Sequence, residues 1–327
     1  MNLKKALTLI IMFVAACVTP GVAQIYWSNQ SPAGITDDIW CVTYANGIFA
    51  AVTNQGNLLT STDELTWSSQ TIDQGVWLVS IAYGNGTWVV VGNNGAILVS
   101  SDLKTWVFAK SVTNNKLDGV FYAGTIWVAV GEVGTILTSP DAQTWTLQPA
   151  ISGVTGFLHG ITYVPTNSLG VGAEIWICGQ NGVLILGQVP GGSTSYSFGL
   201  YDVGHVLGGE STTQNLEAII YPNIANASVA ELESLNLVGA GWGGTIVDGV
   251  LNLGGGGPEG FGVITVTPSV IFRGLTNGNG YYVAAGEQGT IMSSQDGRNW
   301  TQRFSGDSPS TVSTSTLLTA AYSATLQ

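Results

Sequence analysis

The chain has 327 residues, of which 9% are charged and 45% hydrophobic, and its formal net charge is −12. An acidic surface disfavours binding to nucleic acid and to anionic lipid, because both carry negative charge. The high hydrophobic content, with 11 tryptophans, excludes an intrinsically disordered chain. A closed all-β ring commonly reaches this length as one domain.

The N-terminal segment has the pattern of a secretion signal. Two lysines precede an apolar run over residues 6–16, and a small-residue site ends at Ala23. This pattern predicts a cleaved signal peptide over 1–23 and a single mature domain over 24–327. The apolar run is too short to span a bilayer, and no later stretch is long enough, so no transmembrane span is predicted.

A second route of processing starts from the same segment. Residues 14–17 resemble a lipobox that ends in Cys17, and acylation there would tether the protein to a membrane. The first strand begins near Ile25, which leaves almost no spacer after Cys17 and favours ordinary secretion. Both routes predict an extracellular, periplasmic or cell-surface location.

Two cysteines, Cys41 and Cys178, remain after either route of processing. They could form a disulfide, although a core of this size needs none. Each lies in an apolar strand pattern, which favours two buried thiols.

An internal repeat organises the mature domain. Segments 44–67, 83–106 and 122–145 align without gaps, and each unit contains four short strands separated by turns. A G-x-x-G turn, altered in some copies, follows the second strand at 53–56, 92–95, 131–134, 179–182, 241–244 and 286–289. Four strands per unit with glycine turns predict an all-β fold, a β-propeller of six recognisable four-stranded repeats.

A segment of pattern S-x-D-x-x-x-W ends four of the six units. The Asp carboxylate can accept hydrogen bonds from backbone N–H groups of a tight turn, and the Trp can pack between blades. We therefore predict a structural role for these residues, which are Asp63 and Trp67, Asp102 and Trp106, Asp141 and Trp145, and Asp296 and Trp300.

With these segments the chain resembles the Asp-box (BNR-like) repeat propellers, which include sialidases, some glucan hydrolases and photosystem II assembly factors. The spacing from Asp to Trp is one residue shorter than in sialidases, and the short form is usual among the non-enzymatic relatives. The resemblance is therefore closer to the assembly factor-like propellers than to true sialidases. It implies that the S-x-D-x-x-x-W segments lie on the face away from the active site.

The first strands share a column of small residues, as expected where the innermost strands crowd towards the axis. This column contains Cys41, Ser80, Gly119, Gly160, Ala218, Gly274 and Thr319. A seventh copy of the strand thus occurs at 317–322, while residues 25–28 resemble an outer strand. We expect these N- and C-terminal strands to close the ring as six or seven blades. An incomplete terminal blade would leave an edge for self-association.

The residue before each small residue marks a candidate ligand site. Strand direction places this column on one face, the top face, together with the G-x-x-G turns and the connections between blades. Its members are Trp40, Val79, Asp118, His159, Glu217, Arg273 and Leu318. One interpretation is that the charged groups pair with one another around a wet channel. The other is a polar ligand site, with His159 as an acid or base and Arg273 as an anion clamp.

Three tryptophans have no role in the repeat and map to the top face: Trp40, Trp77 and Trp242. Exposed indoles there could stack on sugar rings or anchor a protein partner. The alternative is that they are hydrophobic caps of the blades.

The residues for known chemistries are sparse. The sialidase reaction requires three arginines at the substrate, and of the three arginines in this chain only Arg273 maps to the top face. A glycosidase needs two facing carboxylates, for which Asp118 and Glu217 are the candidates. The chain has two histidines, His159 and His205, and no phosphate-binding or metal motif, so we predict no cofactor and no metal.

Together these features predict a non-enzymatic binding or scaffold propeller at the cell surface, with a protein or glycan on its top face. Two alternatives stay open. One is a structural subunit that self-assembles through its incomplete terminal blade, and the other is a glycoside hydrolase that uses Asp118 and Glu217.

Overall fold

The computed structural model describes residues 10–15, 24–29, 37–63, 65–73, 75–165, 172–189, 195–201, 212–221, 236–251, 258–267, 269–278 and 280–303. These residues form six antiparallel sheets of four strands each, in which the strands follow one another in chain order. The protein is a six-bladed β-propeller, which confirms the predicted fold class. Within the described ranges, no helix is long and apolar enough to cross a membrane.

The first three blades contain twelve strands. They are β3 (Ile39–Ala45), β4 (Ile48–Thr53), β5 (Asn57–Ser61) and β6 (Ser68–Thr71) in blade one, β7 (Leu78–Gly84), β8 (Thr87–Gly92), β9 (Ile97–Ser100) and β10 (Val107–Phe108) in blade two, and β11 (Leu117–Tyr122), β12 (Trp127–Gly131), β13 (Ile136–Ser139) and β14 (Thr146–Leu147) in blade three.

The last three blades contain the remaining twelve. They are β15 (Leu158–Val164), β16 (Glu174–Gly179), β17 (Leu184–Gln188) and β18 (Ser197–Leu200) in blade four, β19 (Leu216–Ile220), β20 (Asn236–Gly241), β21 (Thr245–Leu251) and β22 (Pro258–Thr265) in blade five, and β23 (Phe272–Gly278), β24 (Tyr281–Gly286), β25 (Ile291–Ser294) and β26 (Thr301–Arg303) in blade six.

A separate two-stranded sheet precedes the blades. Strand β1 (Ile10–Ala15) pairs antiparallel with β2 (Gln24–Asn29). The expected partner of β2 at the C-terminus, residues 317–322, lies outside the described residues. The closure of the ring by the terminal strands and the cleavage of 1–23 therefore stay predictions.

The hydrophobic core lies between the blades. Each of five apolar clusters joins the facing sheets of two consecutive blades, from blades one and two to blades five and six. A large aromatic residue near the start of the second strand is buried in five blades, as Phe49, Trp88, Trp127, Trp176 and Tyr282. The small-residue column lies where inner strands meet: a Cβ at Gly119 would lie 2.5 Å from the carbonyl oxygen of His159.

The two cysteines of the blades lie in different blades and are not joined in a disulfide. Of the two thiols that were expected to be buried, only Cys178 is, and its Sγ lies 3.6 Å from the carbonyl oxygen of Leu216. Cys41 is only partly buried, so the expectation was wrong for that residue. Burial raises the pKa of the Cys178 thiol far above its ordinary value, so this thiol stays protonated at neutral pH.

The G-x-x-G turn, which follows the second strand of each blade, is hydrogen-bonded to the backbone just before the first strand. In all six blades the backbone N–H of the second turn residue donates to the carbonyl of a residue just before the inner strand, over 2.9–3.1 Å. In blade three this bond joins Glu132 to Lys116. A Cβ at Gly131, the first turn residue, would lie 1.9 Å from the same carbonyl oxygen. At position 131 the close approach of two backbones therefore requires glycine.

The S-x-D-x-x-x-W segments form tight turns at the opposite end of the strands. In blade one, Asp63 Oδ1 accepts hydrogen bonds from the backbone N–H groups of Leu65 and Thr66, at 3.0 and 2.7 Å. The same pair of bonds recurs at Asp102, Asp141 and Asp296. The Thr66 N–H is the main cause that lowers the pKa of Asp63 to about 2.

We expect Gly131→Ala to lower the free energy of unfolding by at least about 1–3 kcal/mol, because the added methyl group meets a backbone carbonyl that has little room to move. Urea unfolding of the two proteins measures the difference. Gly199→Ala is the matched control, because a Cβ there meets no atom within 4 Å. Equal losses of stability in the two variants would contradict the close-approach argument.

The Asp63 turn predicts a pH dependence of stability. The folded-state pKa of about 2 lies below the ordinary value of 3.8, so the carboxylate stabilises the fold above about pH 4. This contribution is lost as the pH falls from about 4 to about 2. We expect the melting temperature of Asp63→Asn to fall less steeply than that of the wild type over this range. Asp73→Asn is the charge-matched control, and parallel curves for wild type and Asp63→Asn would refute the role of the charge.

Candidate functional site

A β-bulge at the start of every inner strand places the candidate column. In each of the six blades the register shifts by one residue at the same point, so that the column residue is the extra one. The bulged residues are Trp40, Val79, Asp118, His159, Glu217 and Arg273. A bulge redirects the side chain of its extra residue, and the six bulges lie at equivalent positions of the inner strands.

Blades one to four contribute the first cluster of the site. Lys116 Nζ forms an ion pair with Asp118 Oδ1 and lies 5.3 Å from the centre of the Trp40 ring. His159 Nδ1 lies 3.6 Å from Asp118 Oδ2, beyond hydrogen-bond distance. The rings of Trp40 and Trp77 lie 6.0 Å apart. We call these five residues the blade 1–4 cluster.

Blades five and six contribute the second cluster. Glu217 Oε1 accepts a hydrogen bond of 2.5 Å from Trp242 Nε1, and Glu217 Oε2 accepts one of 3.1 Å from Arg273. The second guanidinium nitrogen of Arg273 lies 3.8 Å from Glu287 Oε1. We call these four residues the blade 5–6 cluster. The Glu217–Arg273 pair joins column residues of neighbouring blades, whereas Lys116 and Glu287 each pair with the column residue of their own blade.

Pairing leaves some buried polar atoms without partners. Among the described residues, five buried side-chain atoms have no hydrogen-bond partner: Trp40 Nε1, Asn93 Oδ1, Trp106 Nε1, Asp118 Oδ2 and Arg273 Nε. Such an atom costs roughly 1–3 kcal/mol, and native proteins contain few of them. Three of the five, Trp40 Nε1, Asp118 Oδ2 and Arg273 Nε, belong to bulged residues of the inner strands.

The second residue of the turn explains why blades five and six differ from the others. In blades one, three and four it is Asn54, Glu132 or Gln180, and its side chain accepts a hydrogen bond from the backbone before the inner strand. In blades five and six it is Trp242 or Glu287, and it contacts the bulged residue of its own blade. The sequence signal was present, because Trp242 departs from an otherwise polar column.

Two polar residues just before the inner strands form hydrogen bonds that hold the turns. Asp37 accepts hydrogen bonds from Thr53 and Asn57, and Asn215 accepts one from the backbone of Asn181. Three residues of the site that the sequence analysis did not single out are Lys116, which lies over Trp40, Glu287, which faces Arg273, and Phe157, whose ring stacks on His159 at 5.9 Å.

The remaining arginines lie elsewhere. Arg298 Nε binds Asp248 of blade five, and Arg303 Nε donates to Ser293 of its own sheet. Across the described ranges, no group of three or more His, Cys, Asp and Glu residues is arranged to hold a metal ion. His205 lies outside those ranges. Asp118 and Glu217 have different basic partners, Lys116 and Arg273 respectively.

Solved structures resemble this chain in fold. A structure of YCF48 bound to a D1 peptide matches at 16% identity with a TM-score of 0.56, covering 82% of this chain and 81% of that chain. YCF48 from Cyanidioschyzon merolae matches at 14% identity with a TM-score of 0.58, covering 83% of this chain and 87% of that chain. A chain of the mitotic checkpoint complex matches at 11% identity with a TM-score of 0.60, covering 89% of this chain and 86% of that chain. No protein-family model and no curated protein matches the sequence. At these identities the likeness shows the β-propeller fold alone.

We expect Arg273→Met to lower the free energy of unfolding by about 1–3 kcal/mol, because it leaves a nearly buried Glu217 carboxylate without its cation. Urea unfolding measures the loss. In the double variant Glu217→Gln, Arg273→Met part of the stability returns, because a neutral amide costs less to bury. If Arg273→Met were as stable as the wild type, the Glu217–Arg273 ion pair would make no net contribution to the free energy of unfolding.

Proposed function

We propose that this protein is a non-enzymatic binding propeller that holds a segment of a partner protein on its top face. The observation that carries the proposal is that three buried atoms of the bulged residues, Trp40 Nε1, Asp118 Oδ2 and Arg273 Nε, have no hydrogen-bond partner within the described part of the chain. A bound segment would supply their missing hydrogen bonds. The charged residues supply orientation, and the tryptophans supply contact area.

The tryptophans support a protein ligand. Trp77 is 44% exposed and Trp242 is 40% exposed, which is unusual for the largest apolar side chain. Tryptophan is enriched among the residues that dominate binding energy at protein interfaces. A propeller of similar fold, YCF48, has been solved with a D1 peptide, so a propeller of this general shape accommodates a peptide.

The place of action that we propose is the cell surface, the periplasm or the extracellular medium. The support is the charged, apolar and small-residue pattern of residues 1–23. The Asp-box relationship that the sequence suggests fits the same proposal, because the short form of the segment is usual among its non-enzymatic members.

Selection from a random peptide library on the immobilised full chain tests this function. We expect binders whose affinity falls at least about thirtyfold in Trp77→Ala or Trp242→Ala, the loss typical of a central aromatic residue. Phe108→Ala is the matched control, because Phe108 is 60% exposed on an outer strand. It should leave the affinity unchanged.

Three outcomes would overturn the proposal. They are the absence of peptide binders, binders that are equally sensitive to Phe108→Ala, and binding on a glycan array without peptide binding. If the protein releases reducing sugar from a glycan substrate and Glu217→Gln abolishes this activity, the protein is a glycoside hydrolase and not a binding propeller.

A further inference from the structure

The top face carries an excess of carboxylates. We define the mouth residues as the bulged residues, the second turn residues and the two residues before each inner strand. Their basic members are Lys116 and Arg273, while their acidic members are Asp37, Asp38, Asp118, Glu132, Glu217 and Glu287. Closely spaced charges of one sign in a concave site concentrate ligands of the opposite sign. The mouth therefore favours a cationic ligand.

Asp118 is the acceptor best placed to receive such a ligand. Its side chain is only 6% exposed, and Oδ2 has no hydrogen-bond partner among the described residues, although Oδ1 is paired. Arg273 is a poorer site for an anion, because two carboxylates, Glu217 and Glu287, already face it.

The same cluster already binds one ammonium group. Lys116 Nζ lies against the Asp118 carboxylate and over the Trp40 ring, so a carboxylate and an indole face hold the charge from two sides. An indole face attracts a cation through its quadrupole, most strongly where water is excluded. Trp77, next to Trp40, is 44% exposed and offers a second indole face.

We propose that the blade 1–4 cluster is a recognition site for a lysine or arginine side chain of the bound protein segment. The cation lies against Asp118 and the indoles of Trp40 and Trp77, and Lys116 competes with it from within the protein. This inference rests on the proposed function, since it assigns the chemistry of the segment that the top face holds.

Fluorescence anisotropy of the full chain with three labelled nonapeptides tests the proposal. The peptides are acetylated and amidated repeats of Gly-Ser-Lys, Gly-Ser-Gln and Gly-Ser-Glu. We expect the lysine peptide to bind at least about tenfold more tightly than the glutamine peptide, with weaker binding as salt is added. Equal binding of the glutamic acid and lysine peptides would overturn the assignment.

Two pairs of variants separate the cluster from the overall charge of the protein. Asp118→Asn should weaken binding of the lysine peptide by about tenfold, and Asp63→Asn, the same change on the opposite face, should not. Lys116→Met should tighten binding several-fold by removing the internal competitor. Lys104→Met, on an exposed residue of the opposite face, should not. Equal effects within each pair would show that only net charge matters.

Two further readouts keep the result interpretable. If Asp118→Asn fails to fold, the gain in Lys116→Met and the loss in Trp77→Ala still decide the question. If the library instead yields neutral or acidic peptides that depend on Trp77 and Trp242, the cationic site is wrong and the binding function stands. Failure of every peptide to bind removes both proposals.

Discussion

One backbone contact, repeated in every blade, sets the geometry of the top face. The second turn residue donates its N–H to the carbonyl just before the inner strand, and the glycine beside it in five blades leaves no room for a side chain. This contact fixes the turn against the entrance of the strand, and the one-residue bulge follows immediately. The scaffold thus presents six side chains at equivalent positions, whose chemistry is free to vary because the backbone bonds do not depend on it.

The proposed binding surface depends on the side chain of the second turn residue, while the backbone contact stays the same. Where the turn residue is Asn54, Glu132 or Gln180, its side chain reinforces the backbone contact. Where it is Trp242 or Glu287, the backbone bond remains and the side chain contacts the bulged residue. In blades five and six the side chain of the second turn residue therefore contacts the bulged residue, and does not form the local hydrogen bond to the backbone that is seen in blades one, three and four. Exchanges of this kind are expected where function competes with stability.

On the opposite face, the acidic side chains bind the backbone of their own turns. At Asp63 and its counterparts each carboxylate is satisfied by two backbone N–H groups of its own turn, so the charge is used locally. At the mouth, Asp118 keeps an oxygen without a hydrogen-bond partner among the described residues, and the net charge is negative. Carboxylates thus bind backbone N–H groups at one end of the strands, whereas at the other end Asp118 pairs with the Lys116 side chain.

The repeat by itself determined the fold, because four strands and a glycine turn recur in six units. It also placed Trp40, Asp118, His159, Glu217 and Arg273 in one column, since equivalent positions of a repeat lie at equivalent places in a ring. Only the tertiary structure decided which column members meet. Whether Lys116 reaches Trp40, or Glu287 reaches Arg273, depends on side-chain length and on the distance between blades. Neither quantity is encoded in the spacing of a single repeat.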